Sequence, residues 1–183
     1  MNIMRITNCL KSALVLLTLF IAMGSSAQLQ DSLKAQFVKD WVRSKAFTDE
    51  YLATMPKDKY GFRAQDSIRT FAQQMLHLAQ GTVGLMSSAT GKKMPDLMNR
   101  GLENSPTAKD SVAYFVDFSY DYAIEALKEF DINKAFERVQ RGRFDETRLA
   151  FLLKAYEHQA HHRGQATIYI RLLGIKPPNE KLF

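Results

Sequence analysis

All four histidines of the chain fall into one pattern. His77 stands alone in an apolar helical stretch. His158, His161 and His162 crowd into Tyr156-Glu157-His158-Gln159-Ala160-His161-His162-Arg163-Gly164-Gln165. Helical residues four apart project from one face, one turn apart, so the His158 and His162 rings are neighbours. Two imidazoles so placed can hold one metal ion, and His77 from another helix can supply a third nitrogen. Three protein ligands leave a coordination position open for water or substrate, the arrangement of a catalytic rather than a structural metal. The competing use of these residues is as surface histidines of a basic helix.

A helical His-x-x-x-His pair first suggests zinc proteases, but those need Glu directly after the first histidine as general base. Gln159 stands there, and an amide takes no proton. A di-iron carboxylate bundle needs Glu-x-x-His twice, whereas Glu157 is adjacent to His158. The pattern is mononuclear and all-nitrogen. Imidazole suits zinc, nickel, copper or iron; zinc or nickel is expected first, with iron or manganese as alternatives. His161 points about 100° from His162 on the wheel, outside the ligand set. It can serve as a proton carrier or an exposed residue. Arg163 can hold a carboxylate at the site entrance, pair with Glu157, or be solvated. Gly164 is expected to permit close helix packing. Gln165 and Tyr169 share the histidine face and, with His161, are the catalytic candidates.

These residues need helices to position them. The apolar spacing of Leu33, Phe37, Trp41 and Val42 predicts a first helix from about Leu29 to Met55, ended by Pro56. A second starts near Asp66 or Ser67, with Ile68, Phe71, Met75, Leu78 and Ala79 on one stripe. His77 shares its other face with Thr70, Gln74, Gly81 and Gly84. That face is either solvated or the wall of a cavity in which glycines leave space for a ligand. Ser88 to Pro106 reads as a linker. A third helix, Ala108 to Ala135, carries Val112, Phe115, Val116, Tyr120, Ala123 and Leu127. Asp145-Glu146-Thr147 opens a fourth, ended near Leu173 by Gly174 and Pro177-Pro178. No strand-like alternation is evident. The expected fold is all-α, a four-helix bundle with one long crossing connection.

The first 27 residues read differently. Arg5 and Lys11 precede the apolar run Ala13 to Met23, and Gly24-Ser25-Ser26-Ala27 follows. This is the pattern of a secretory signal peptide cut after Ala27, leaving 28–183 as one exported, periplasmic or secreted bacterial domain. The run is short for a membrane span. The only cysteine, Cys9, leaves with the leader, so the mature chain has no disulfide, thiol nucleophile or thiolate ligand. The net charge of +6 falls to about +4 on losing Arg5 and Lys11. The remaining charges are mixed in sign, with no basic stripe interleaved with aromatics, which argues against a nucleic-acid partner.

The segment His158-x-x-His161-His162-Arg163-Gly164-Gln165, with Tyr169 to Ile175 and Pro177-Pro178, resembles the DinB family, the DinB/YfiT-like superfamily of metal-binding four-helix bundles. Phe71-x-x-x-Met75-Leu76-His77-Leu78-Ala79 is similar to that family's second-helix histidine segment. The resemblance spans about Asp40 to Pro178. It implies a divalent metal held by His77, His158 and His162, with His161 matching a frequent non-ligand histidine and the His77 face turned into the bundle. Glu157 departs from the family, which often has Asn there. The resemblance also implies thiol-transfer chemistry with a metal-activated thiolate, although the thiol cofactors concerned are cytosolic. The expectation is an exported metal-dependent transferase or hydrolase-like enzyme acting on a small molecule. The alternative is a non-catalytic metal-binding or oligomerising bundle; a homodimer is the expected assembly.

Overall fold

A computed structural model of the chain describes residues 3–99 and 101–183, with side chains from Gln28 onward. The expected leader, 1–27, and its cleavage point lie outside the residues described at that level. The chain divides into two compact units, Met1–Gln36 and Phe37–Phe183. Helix α1 (Ile3–Thr54) runs through the first and into the second. Among the described residues, no helix is long and apolar enough to cross a membrane.

The second unit contains the rest of α1, α2 (Phe71–Thr90), α3 (Lys109–Glu129) and α4 (Arg148–Leu172). A two-stranded hairpin, β1 (Arg138–Arg141) and β2 (Phe144–Thr147), precedes α4. The core is the inner faces of the helices. Trp41 of α1 meets Tyr120 of α3 and Tyr156 of α4 edge-on, each with centroids 5.7 Å apart. Helix α2 packs most extensively on α4 and next on α3. The six apolar positions read for α3 are all buried, as are Phe71, Met75, Leu78 and Ala79 of α2. Each of the larger aliphatic and phenylalanine side chains among them contributes roughly 1.5–3 kcal/mol of burial free energy.

Several boundaries differ from the sequence reading. Leu33 and Val42 are exposed, so the buried stripe of α1 rests on Trp41, Ser44, Thr48 and Tyr51, with Phe37 half-buried at its start. Helix α2 starts at Phe71, not near Ser67, because Thr70 closes a capping box. Its hydroxyl accepts from Gln73 N (3.2 Å), and Gln73 Oε1 accepts from Thr70 N (3.0 Å). Ile68 is consequently exposed, ahead of the helix. Helix α3 stops at Glu129, where Phe130 turns extended, rather than at Ala135.

The fold is therefore mainly rather than wholly helical. Asp145 and Glu146, expected to open α4, belong to β2, and Thr147 caps α4 by accepting from Ala150 N (3.1 Å). Gly142 takes φ 55° at the first position of the two-residue hairpin loop, the place a type II′ turn reserves for glycine. Both strands are short and largely exposed, so no alternation announces them. The C-terminus of α4 follows expectation. Gly174 (φ 74°) donates to Arg171 O (2.9 Å) and Ile175 N to Ile170 O (3.2 Å), the paired bonds of a Schellman motif.

Candidate metal centre

Two facing helical stripes build the site. On α2 the spacing Gln74, His77, Gly81, Gly84 keeps one face, and on α4 the spacing His158, His162, Gln165, Tyr169 does the same. The ring centroids of His77 lie 5.3 Å from His158 and 4.6 Å from His162, and those of His158 and His162 are 4.4 Å apart. Each ring offers one nitrogen, and the three nitrogens lie within 4.8 Å of one another. That face of α2 thus looks into the bundle.

Gly81 makes this approach available. A Cβ at 81 would stand 2.6 Å from His158 Nε2 and 2.9 Å from Nδ1, with Cε1 closer still. The space left by Gly81 is filled by the His158 ring, not reserved for a ligand. Gly164, by contrast, is exposed with nothing within 4 Å of a Cβ, so it serves no helix contact.

The outer nitrogens are braced. His77 Nδ1 is 2.7 Å from Glu103 Oε1, and Glu103 also accepts from Arg69 Nε (2.8 Å) and Nη2 (3.2 Å). These bonds, Arg69's first, hold the Glu103 carboxyl below its ordinary range. Gln74 Nε2 donates to His162 Nδ1 (2.7 Å) and to Gln165 Oε1. With both the Gln74 and Gln165 amides turned over, the Gln74 oxygen accepts from Nδ1–H and from the Gln165 amide, and His162 Nε2 keeps its lone pair; the two arrangements are isosteric. A carboxylate on one imidazole and an amide on another are the partners that orient histidine ligands at metal sites.

Burial, then the neighbouring histidines, pushes His158 down to about 4 and His162 down to about 3. Both are neutral at pH 7, the form that ligates. His158 Nδ1 is buried with no hydrogen-bond partner. An unsatisfied buried nitrogen costs about 1–3 kcal/mol, and a cation among the three rings would satisfy it. The residues present fit a divalent metal: neutral nitrogens, an orphaned donor atom and no thiolate.

His161 lies outside the trio. Its ring is 4.9 Å from that of His162 at 84°, it is exposed, and Gln165 Nε2 donates to its Nε2 (3.0 Å). Tyr169 is buried and donates to Arg69 O (2.7 Å). Arg163 neither guards an entrance nor meets Glu157. It is buried on the other side of α4, donating to Gln159 Oε1 (2.6 Å) and Thr48 Oγ1 (3.3 Å) over the Phe47 ring. Glu157 pairs with Lys154 instead (2.6 Å). Gln159, in the zinc-protease base position, also accepts from Tyr120 (2.9 Å) and is fully buried away from the trio.

Two open clefts flank the histidines. One, of about 890 Å³, is mainly apolar and is lined by Leu85, Phe144, Phe151 and Ala160 beside His158 and His161. The other, of about 600 Å³, is lined by Arg69, Gln74, Glu103, Gln165 and Tyr169. Glu103 and Arg69 escaped the sequence reading. They lie on connectors, where no periodicity ties a residue to a helix face.

The DinB family model matches residues 23–182. The fold is similar to that of a DinB-like protein from Bacillus cereus ATCC 10987, with a TM-score of 0.68 and 20% identity over 79% of this chain and 95% of that one. It is also similar to a DinB-like protein from Bacillus subtilis, with a TM-score of 0.59 and 16% identity over 79% and 96%. None of the curated proteins matches the chain in sequence. With the family model covering the whole bundle and the three histidines gathered between its second and fourth helices, the chain belongs to the DinB family.

Proposed function

We propose that the protein is an exported metal-dependent enzyme in which His77, His158 and His162 hold one divalent ion, zinc or nickel before iron or manganese. The observation that carries this is the convergence of three ring nitrogens within 4.8 Å, two of them on imidazoles that burial keeps neutral, flanked by clefts large enough for a small molecule. Held there, a divalent ion supplies Lewis-acid charge that lowers the pKa of a nucleophile beside it. The reaction class is thiol transfer or hydrolysis of an activated ester.

The protein's own residues divide the remaining work. Glu103 and Gln74 orient His77 and His162. Gln165 links Gln74 to His161, and His161, exposed on the rim of the apolar cleft, is the proton acceptor. Tyr169 positions Arg69 through its backbone; burial pushes its phenol up and so disfavours its use as a base. Gln159 faces the opposite side of α4, which supports the reading against peptide hydrolysis. Arg5, Lys11 and the apolar run before Ala27 support export, with Gln28 as the mature N-terminus.

Metal analysis of the purified protein and of four alanine variants tests the site. His77→Ala, His158→Ala and His162→Ala each lose tight zinc binding, and His161→Ala keeps it. Equal metal content in the wild type and the first three overturns the assignment. Metal-loaded protein is then screened with thiol-transfer, ester and amide substrates. Brisk peptide cleavage alone refutes the reaction class, and no turnover by fully metallated protein favours a binding module.

A further inference from the structure

Arg141 carries a charge that no other described residue uses. It is the last residue of β1 and only partly exposed, and its guanidinium lies against α2 at Gly84. A Cβ at 84 would stand 2.5 Å from its Nη2 and 3.3 Å from its Cζ. Gly84 follows Gly81 by three residues on the same face. The guanidinium therefore sits on the turn after the one that receives His158, about 4.5 Å further along the helix axis. Among the described residues, none forms a hydrogen bond or ion pair with it; burial alone acts on it, pushing its pKa down.

The apolar cleft lies beside it. Leu85 follows Gly84 in the chain, Phe144 is the cross-strand partner of Arg141, and His158 lies against Gly81 one turn of α2 away; all three line the 890 Å³ cleft. Cross-strand partners share a face, so Arg141 and Phe144 project together. Of the other charges at this cleft, Lys154 and Glu157 are paired at 2.6 Å, while Glu146 acts only through its field, on Lys154 and Arg138. A partly desolvated guanidinium without an acceptor is costly, and its planar fork matches a carboxylate.

We propose that Arg141 receives the carboxylate of a small organic acid whose apolar body fills this cleft, with its reactive group toward the histidine trio. The substrate class is thus an amphiphilic monocarboxylate. This rests on the trio being a substrate-facing metal centre, although the anion seat itself is built without the metal.

Calorimetric titration of the purified protein with octanoate and its neutral counterpart octanamide tests the seat, in metal-free and zinc-loaded forms. Octanoate binds at least about tenfold tighter than octanamide in both, as expected for a charge-assisted pair. Arg141→Gln brings octanoate down to the level of octanamide with zinc binding unchanged. Arg141→Lys, which keeps the charge but not the fork, falls between and serves if the glutamine variant misfolds. Ala150→Trp, which narrows the cleft, weakens both ligands. Equal binding of the two ligands overturns the proposal, as does a preference for octanoate that survives Arg141→Gln. A preference present only with zinc also overturns it and leaves the metal reading standing. An Arg141-dependent preference in a protein that takes up no zinc sinks the metal reading alone.

Discussion

Gly81 of α2 and His158 of α4 share one space: the ring lies where a Cβ at 81 would be. Helix propensity favours alanine over glycine by about 1 kcal/mol at an ordinary helix position. Here the ring must move to admit the methyl group. We expect Gly81→Ala to keep all three histidines and yet lower zinc affinity at least about tenfold, the scale of disturbed ligand support. Competition with a chelating dye measures it, and wild-type affinity in Gly81→Ala contradicts the packing.

Glu103 sits between His77 and Arg69. Glu103→Ala frees the His77 ring and should cost about 10- to 100-fold in zinc affinity. Glu103→Gln keeps an acceptor and should cost less. Equal affinities for the wild type and both variants in the same dye assay would remove Glu103 from the site.

Burial first, and then the neighbouring histidines, push His158 down to about 4 and His162 down to about 3 from an ordinary 6.5. Between those limits the unfolded chain binds more protons than the folded one, so stability rises with pH there. The metal-free protein should therefore lose melting temperature as pH falls from 6.5 toward 4. Replacing both rings by phenylalanine should flatten that slope; an unchanged slope in the double variant refutes the assignment.

Asp49 on α1 behaves in the opposite sense. Burial, and then the neighbouring Asp117, pushes its carboxyl up to about 6, while its Oδ1 has no partner. With a folded pKa above the unfolded 3.8, stability is fully present below 3.8 and is lost as pH rises through 6. Asp49→Asn should raise the melting temperature at pH 8 relative to wild type and lose that advantage at pH 4. No difference between the two pH values would show that Asp49 ionises freely.

Helix order and the gathering of His77, His158 and His162 were legible because each rests on a period. Apolar stripes mark the inner faces, and a four-residue step pairs two imidazoles. The direction of the His77 face was not legible from the wheel, since Gln74, Gly81 and Gly84 suit either solvent or a crowded interface. Only the opposing helix decides, by placing His158 against Gly81. The hairpin hid because its two strands are only four residues each and largely exposed, leaving Gly142 as the turn signal. A charged side chain next to a ligand suggests an entrance, and for Arg163 that suggestion misleads. On α4 one step of about 100° turned this arginine into the core instead, where Gln159 and Thr48 receive it. Thr70 and Gln73 did spell a capping box, but Asp66 and Ser67 stood earlier as rival caps.

Thr147 is both the end of β2 and the cap of α4, so no slack separates hairpin from helix. Every residue gained or lost between Thr147 and His158 would swing the histidine pair by about 100° around α4. The connector from Gly91 to Ala108 is under no such phase constraint, provided Glu103 still reaches His77. Length change is therefore tolerated on one side of the bundle and forbidden on the other. What descent must keep in this protein is the count of ten residues between Thr147 and His158 as much as the letters that fill it.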